Sequence, residues 1–297
     1  MESLKKILTG VAIFSTLSSY SIMPKINSVD LENRINNTES YQCYITPETE
    51  RIDKYKKNIY CVRVVAAYEK KNGERKEMAL GHGTLTLFGK KNTSNYFFTA
   101  HHIKAEGKNN KIRGELENKI WRELKDYEFK GYSYYIVDNR LDKKTDDDIP
   151  LTIVESAPNL DFVVMKSKTG FFPPENNRQM RLRNYLDYVP LRIGNYKKLK
   201  EGDIVFSIGY HYSLYKVVSK GIVSNKTKSV LSPSEDFLID INLNPGGSGC
   251  PIFAIRNNKI ELVGMFHQYL SFDGIPRGVH FAVPIDKFKK HLERYIK

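Results

Sequence analysis

Short apolar runs, separated by polar or glycine-containing turns, follow one another along most of this chain. Tyr and Phe number 19 and 15 among 297 residues, and these residues, together with the abundant Val and Ile, are favoured in strands. Asn72-Gly73 divides residues 62–71 from residues 74–87 and is typical of a hairpin turn. The pattern predicts an all-β protein whose strands are joined by short turns.

Two stretches depart from this pattern because their apolar residues recur at helical spacing. Residues 115–130 carry charges between the apolar positions Leu116, Ile120, Trp121 and Leu124. We expect an amphipathic helix there, within a charged insertion. Residues 286–297 place Lys and Arg opposite one apolar face, formed by Phe288, Leu292 and Ile296. A C-terminal helix with Asp286 as its N-cap is predicted.

The first residues differ in composition from the rest. Lys5 and Lys6 precede the apolar residues 7–23, as in the charged start and apolar core of a signal peptide. We interpret residues 1–26 as a signal peptide or an N-terminal anchor, and residues 27–54 as a flexible polar lead-in. The protein is accordingly expected to be exported to a secreted, periplasmic or cell-surface location.

Charge and cysteine content add limited information about partners. The formal net charge is +13, which allows weak contact with a polyanion or membrane surface. The lysines are scattered and no nucleic-acid motif is present, so no specific nucleic-acid partner is predicted. Of the three cysteines, Cys43 and Cys61 could form a bridge in an exported protein. No Cys/His cluster has zinc-ligand spacing, and neither metal nor cofactor is expected.

The chemistry of the chain centres on residues 244–251, Asn-Pro-Gly-Gly-Ser-Gly-Cys-Pro. Glycines on both sides of Ser248 permit a tight turn, and the Gly246 and Ser248 amides could converge to form an oxyanion hole. A serine nucleophile needs a base and an orienting acid. His102 follows an apolar strand and Asp161 opens another, so the groups occur in the order His102, Asp161, Ser248.

These motifs resemble those of chymotrypsin-fold (trypsin-like) serine proteases, most closely the bacterial HtrA type and the glutamyl endopeptidases. Residues 99–103, Thr-Ala-His-His-Ile, resemble the family's Thr-Ala-Ala-His-Cys, a register that selects His102 over His101. Residues 161–166, Asp-Phe-Val-Val-Met-Lys, resemble Asp-Leu-Ala-Leu-Leu-Lys. Further resemblance lies in residues 202–209, 221–224 and 278–284, so the match covers about residues 55–290.

The resemblance implies two packed six-stranded antiparallel β-barrels within a peptidase domain at residues 55–297. Barrel one would occupy about residues 55–168, barrel two about residues 190–284, and the C-terminal helix residues 286–297. It also implies a serine endopeptidase that acts on peptides or proteins through His102, Asp161 and Ser248, with an oxyanion hole at residues 246–248. We expect no PDZ domain after the second barrel, in contrast to the multidomain HtrA proteases.

The substrate pocket and the competing functions are less sharply defined. Asn242, rather than an acidic residue, lies six positions before Ser248, which disfavours cleavage after Lys or Arg. His267 and His280 are further candidates for contact with substrate. Cys250 is an unfavourable nucleophile because Pro251 rather than glycine follows it. The alternatives are an esterase using the same triad, or a latent binding module in which Gly247 and Cys250 let the oxyanion loop relax.

Overall fold

The computed structural model describes residues 51–92, 94–103, 124–137, 148–168, 189–212, 215–226, 236–272 and 275–296. The predicted signal segment, most of the lead-in and Cys43 lie outside these residues. The described chain folds into two closed antiparallel barrels of six strands each, which confirms the predicted fold class.

The first barrel is built from neighbouring strands in the order β1-β2-β3-β6-β5-β4. The strands are β1 Ile59–Glu69, β2 Arg75–Lys91, β3 Ser94–Ala100, β4 Glu128–Val137, β5 Ile149–Ala157 and β6 Phe162–Lys168. The hairpin predicted at Asn72-Gly73 is confirmed, because Gly73 has φ 85° and lies in the turn that joins β1 to β2.

The second barrel has the strand order β10-β11-β12-β9-β8-β7. Its strands are β7 Ile204–His211, β8 Tyr215–Asn225, β9 Phe237–Ile241, β10 Pro251–Arg256, β11 Lys259–Phe272 and β12 Ile275–Pro284. Four short 3₁₀ helices also lie within the described residues: Lys54–Asn58, His101–Ile103, Pro158–Leu160 and Tyr196–Lys198.

The two barrels share an apolar core. The largest buried cluster joins first-barrel side chains such as Phe97 and Phe162 to second-barrel side chains such as Phe206 and Met265. Apolar burial is the main favourable term in folding. The two barrels therefore form one packed unit, and a site between them is held from both sides.

The C-terminal helix α1, Ile285–Glu293, crosses from the second barrel onto the first. Phe288 is fully buried, and its ring centroid lies 4.9 Å from that of Phe162. The predicted N-cap is wrong, because Pro284 occupies that position and Asp286 lies in the first turn. An acidic residue there still complements the helix dipole.

The predicted helix over residues 115–130 is wrong at its C-terminal end. Residues 128–130 begin strand β4. Leu124 lies in a turn, and its side chain packs in a small cluster with Ala66 and Tyr68. Residues 115–123 lie outside the described residues. Within the described ranges, no helix is long and apolar enough to span a membrane.

Candidate active site

Two neighbouring strands bring His102 and Asp161 to the same end of the first barrel. Ala100 ends β3 and pairs with Phe162, which begins β6. The histidine follows in the short helix after β3, and the aspartate directly precedes β6. A backbone bond from the His101 N–H to the Asp161 carbonyl, 2.8 Å long, fastens the two segments together.

Asp161 holds His102 through both oxygens of its carboxylate. Oδ1 accepts from the His102 backbone N–H at 2.8 Å, and Oδ2 accepts from the ring Nδ1 at 2.7 Å. Burial alone would raise the pKa of Asp161, but the charge and hydrogen bonds of His102, together with His267, hold that pKa well below its usual range. The carboxylate therefore stays ionised. Because Nδ1 donates to this carboxylate, the neutral tautomer of the His102 ring has Nε2 as its acceptor.

The backbone at Asp161 is unusual, since its φ of 47° lies in the left-handed region. Aspartate and asparagine enter this region more readily than most residues. In this conformation the carboxylate contacts His102 in the 3₁₀ helix His101–Ile103, while the chain continues into β6. Local backbone geometry thus aims the acid.

A third group reaches Asp161 from the second barrel. His267 Nδ1 lies 3.2 Å from Asp161 Oδ2, and its Nε2 lies 2.9 Å from Asp236 Oδ2. His267 is 6% exposed and Asp236 1% exposed. Burial lowers the pKa of His267, but bonds to the two carboxylates outweigh it and raise the pKa to about 9. The predicted contact of His267 with substrate stays a prediction, because the ring faces two carboxylates.

Ser248 lies in the turn of residues 244–250 between β9 and β10, which we call the Ser248 turn. Its carbonyl accepts from the Thr84 N–H of β2 at 2.9 Å. Gly247 N–H donates to the Asn244 carbonyl at 3.0 Å and closes the turn. The serine is 8% exposed. Backbone bonds therefore attach this second-barrel turn to the first barrel.

Gly249 explains why the turn needs glycine beside the serine. Its φ is 88°, and an added Cβ would lie 2.2 Å from Thr99 Oγ1 and 2.9 Å from the Ala100 amide nitrogen. Those residues directly precede the histidine pair. The absence of a side chain thus lets the Ser248 turn pack closely against the end of β3.

Two bonds fix the peptide groups on either side of Gly246. The Pro245 carbonyl accepts from the Tyr212 N–H at 2.6 Å, and the Gly246 carbonyl accepts from the Thr84 hydroxyl at 2.9 Å. In a trans peptide the N–H points opposite to the carbonyl, so the Gly246 N–H points away from Tyr212. Among the described residues, neither this N–H nor that of Ser248 donates to a backbone acceptor.

The amide of Gly247 differs from these two, because Asn244 already accepts its proton. Of the three residues 246–248 predicted for an oxyanion hole, Gly246 and Ser248 retain available donors. The hydrogen bonds of the described residues do not include one from the Ser248 hydroxyl to His102. Such bonds often tighten only when substrate binds.

The remaining predicted pocket residues lie on or near the segment that leads into the turn. Asn242 is exposed, and its carbonyl accepts from the Ser219 hydroxyl at 2.7 Å. His280 is 3% exposed and its Nε2 lies 3.1 Å from the Leu243 carbonyl. His280 also packs edge-on against Phe266. Their contact with substrate stays a prediction.

The sequence interpretation did not include His211, which also adjoins the turn. Its Nδ1 lies 3.5 Å from Asn244 Nδ2. Burial, with a smaller contribution from His280, lowers the pKa of His211 to about 4. The ring is therefore neutral at physiological pH.

The environment of the Cys250 thiol makes it a poor nucleophile, although it lies two residues after Ser248. Its thiol is fully buried and accepts from the Ser207 hydroxyl at 3.1 Å. Burial raises the pKa of Cys250 to about 12. Because the thiolate is the nucleophilic form, this geometry counts against cysteine chemistry. Within the described ranges, no three His, Cys, Asp or Glu side chains are grouped as metal ligands.

Sequence reasoning missed Asp236, Thr84 and Tyr212 as parts of the site. Asp236 precedes Phe237 at the start of β9 just as Asp161 precedes Phe162 at the start of β6. An aspartate at the start of a buried strand was therefore an available signal. Tyr212 acts through its backbone N–H, which no residue identity reveals.

Comparison with known proteins identifies a family, relatives and a solved structure to which this chain is similar. The family model of the trypsin-like peptidase domain matches residues 83–265. A protein of Pseudomonas putida strain F1, named a probable periplasmic serine endoprotease DegP-like, is 37% identical over 100 residues. That match covers 32% of this chain and 20% of the relative. A protein of the same name from Hahella chejuensis is 36% identical over 104 residues, covering 34% and 21% of the two chains.

A similar solved structure is that of the HtrA-type protease AlgW with decapeptide, with a TM-score of 0.52 at 16% identity. The superposition covers 82% of this chain and 66% of the AlgW chain. At this identity the likeness concerns the fold. The aligned part of this chain spans about a fifth of the length of the curated relatives it matches.

Proposed function

The chain belongs to the trypsin-like peptidase family, and on that premise we propose that it is a serine endopeptidase whose catalytic triad is His102, Asp161 and Ser248. The observation that carries the proposal is the pair of hydrogen bonds that the Asp161 carboxylate accepts from the backbone N–H and the ring Nδ1 of His102, 2.8 and 2.7 Å long. This geometry orients the imidazole with Nε2 available as a base.

The proposed reaction is acyl transfer in two halves. His102 Nε2 takes the proton of the Ser248 hydroxyl as its oxygen attacks a peptide carbonyl. The resulting imidazolium, stabilised by Asp161, donates that proton to the leaving amine as the peptide C–N bond breaks. Water then attacks the acyl-enzyme ester with His102 again as base, releasing the carboxylic acid product and restoring the serine.

The Gly246 and Ser248 amides are proposed to stabilise the negative oxygen that develops on the carbonyl. Each donor of this kind contributes about 3 kcal/mol to the transition state. The support is that Tyr212 and Thr84 anchor the carbonyls on either side of Gly246. The N–H groups are thus held in place before substrate arrives.

The substrate class and the location are proposed from the same premises. We infer a peptide or protein substrate, because the structurally similar AlgW is described with a bound decapeptide. We also infer export, since residues 1–26 resemble a signal segment and the similar proteins are named periplasmic. Of the predicted pocket residues, Asn242 lies two positions before the Ser248 turn, and His280 contacts the carbonyl of Leu243, directly before that turn.

The test is labelling of the purified full chain with a fluorophosphonate probe, with Ser248→Ala and His102→Ala as matched variants. We expect the wild-type protein to be labelled, and both variants to lose labelling while keeping the wild-type circular dichroism spectrum. A folded wild-type protein that does not react would contradict the proposal and favour a binding module on the same fold.

A further inference from the structure

An irregularity in β11 places His267 against the proposed triad. The pairing of β11 with β12 shifts register between Phe266 and Gln268, so His267 is an extra, unpaired residue. A β-bulge of this kind bends its strand and redirects a side chain. Here the redirected ring lies between two carboxylates instead of alternating with its neighbours along the strand.

The two ring nitrogens of His267 define its charge state. Nδ1 lies 3.2 Å from Asp161 Oδ2 and Nε2 lies 2.9 Å from Asp236 Oδ2. A neutral imidazole has a single N–H, so one nitrogen would direct a lone pair at a carboxylate oxygen. Only the cation donates at both ends. With both aspartates ionised, the geometry fits an imidazolium between two carboxylates, the charge state in which both ring nitrogens donate.

We propose that His267 and Asp236 are a buried positioning pair that holds the Asp161 carboxylate in register with His102. The role rests on the proposed function, since it serves the proton transfer from Ser248. Neither residue touches the reacting atoms. Both act through Asp161, whose Oδ2 accepts from His102 and from His267.

Charge balance explains why the pair has two members. A lone imidazolium beside Asp161 would cancel the negative charge that stabilises a protonated His102. Asp236 compensates for that cation, so the Asp161, His267 and Asp236 side chains together carry one negative charge. A buried ion pair persists only when its charges and hydrogen bonds are matched. The pair thus adds a hydrogen bond to Asp161 without removing its charge.

The charged groups that face the His267 ring come from the segments that adjoin it. Asp161 precedes β6, Asp236 precedes β9, and His102 lies across the Asp161 carboxylate. On β12, the residues that pair with Phe266 and Gln268 on either side of His267 are Ala282 and Phe281, and both are uncharged. Since the two carboxylates raise the pKa of His267 to about 9, the pair is charged at neutral pH. The His267 ring loses its second proton as the pH rises through this pKa.

A first experiment tests the pair without depending on enzyme activity. Histidine ring nitrogens of the ¹⁵N-labelled full chain are followed by NMR against pH, with His267 assigned from its absence in His267→Gln. We expect two protonated nitrogens at neutral pH, lost as the pH rises through about 9, and loss at lower pH in Asp236→Asn. A singly protonated ring at neutral pH, or no change in Asp236→Asn, overturns the assignment.

A second experiment tests the positioning role through the rate of fluorophosphonate labelling. His267→Ala is expected to slow labelling between about 10- and 100-fold, the range that a small misplacement of a catalytic group produces. His267→Gln retains one amide donor for Asp161 and should recover part of the rate. In the wild type the rate falls above the His267 pKa; in His267→Gln this basic limb is absent.

His291→Gln is the control, because His291 also bonds a carboxylate, Glu155, but belongs to α1. It should leave the rate and its pH profile unchanged. Equal labelling of His267→Ala and wild type overturns the positioning role. If folded wild type does not label while the NMR titration is as expected, the proposed function has failed, and the catalytic role of the pair fails with it.

Discussion

The two halves of the site are held together by different kinds of force. The acid–base half, composed of His102, Asp161, His267 and Asp236, is a chain of hydrogen bonds between ionisable side chains. The Ser248 turn is fixed mainly by backbone bonds and by the missing side chain of Gly249. The first half depends on charge and pH, and the second depends on shape.

This difference indicates where each half can fail. Replacing an ionisable group by its uncharged isostere leaves the acid–base half in place but removes its charge. In the Ser248 turn the comparable change is at Thr84, where it removes the hydrogen bond that the hydroxyl donates to the Gly246 carbonyl. Two predictions separate the halves and a third concerns Glu155, which lies outside both; they follow in decreasing order of expected effect.

Asp161→Asn should cause the largest loss of activity. Asparagine also tolerates φ near 47°, so the fold is kept. Its amide, however, no longer fixes the productive tautomer of His102. By analogy with the same change in a serine protease triad, labelling should slow by about 10⁴-fold. Burst or steady-state rates, measured beside thermal melts, check this.

A decrease smaller than about tenfold in Asp161→Asn, with the fold intact, would show that the aspartate is not the orienting acid. The comparison between the halves would then lose its basis.

Thr84→Val should impair the Ser248 turn, and Thr86→Val is its matched control on the same buried face of β2. The Thr84 hydroxyl donates to the Gly246 carbonyl and accepts from the Tyr210 N–H, at 2.9 Å in each case. Thr86 Oγ1 has no hydrogen-bond partner among the described residues. Losing a buried partner costs about 1 to 3 kcal/mol.

We therefore expect Thr84→Val to lower the free energy of unfolding by that amount and to slow labelling by roughly tenfold, the equivalent of about 1.4 kcal/mol. Thr86→Val should be neutral or stabilising, because it removes a buried hydroxyl without a described partner. Chemical denaturation and labelling rates provide the measurements. Equal behaviour of the two variants would refute a specific role for the Thr84 hydroxyl.

Glu155→Gln should have the smallest effect, and on stability alone. Glu155 accepts hydrogen bonds from His291, Arg294 and Tyr295 at the end of α1. Losing the carboxylate charge should cost about 1 kcal/mol. Labelling should be unchanged at temperatures well below the melting transition.

The pH dependence of this effect has a defined sign. Burial alone would raise the pKa of Glu155, but the bonds from His291 and Tyr295 and the charge of Arg294 lower it. The stabilisation is complete above the ordinary value near 4.5 and is lost as the pH falls through the lower folded value. Wild type and Glu155→Gln should therefore converge in stability in acid, and a constant difference would contradict the prediction.

The sequence predicted those parts of the molecule that depend on local pattern. Apolar runs and turn residues indicated the strands, the family resemblance implied the two barrels, and short motifs singled out His102, Asp161 and Ser248 as candidates. The position of His267 depends on a bulge, and a bulge reverses the side to which a residue points. No alternation pattern reveals such a shift, so the contacts of His267 with Asp161 and Asp236 could not be predicted from the sequence.

Other features escaped because they depend on backbone atoms or distant partners. The Tyr212 N–H that binds the Pro245 carbonyl would be present with almost any residue at that position. The helix cap was misplaced by two residues because the N-cap position is held by Pro284, whose side chain can neither donate nor accept a hydrogen bond. In the acid–base half, Asp236 lies 31 residues from the ring it binds.

The crossing of α1 from one barrel to the other has a consequence for heat inactivation. The Phe288 ring packs on Phe162, and the Tyr295 hydroxyl donates to Glu155, so each contact joins segments more than a hundred residues apart. The groups of the site are divided between the two barrels. If the helix end opens locally, the barrels can remain folded while their relative alignment loosens. Inactivation on heating should then begin below the temperature at which strand signals melt, and amides of α1 should exchange with solvent before those of β6.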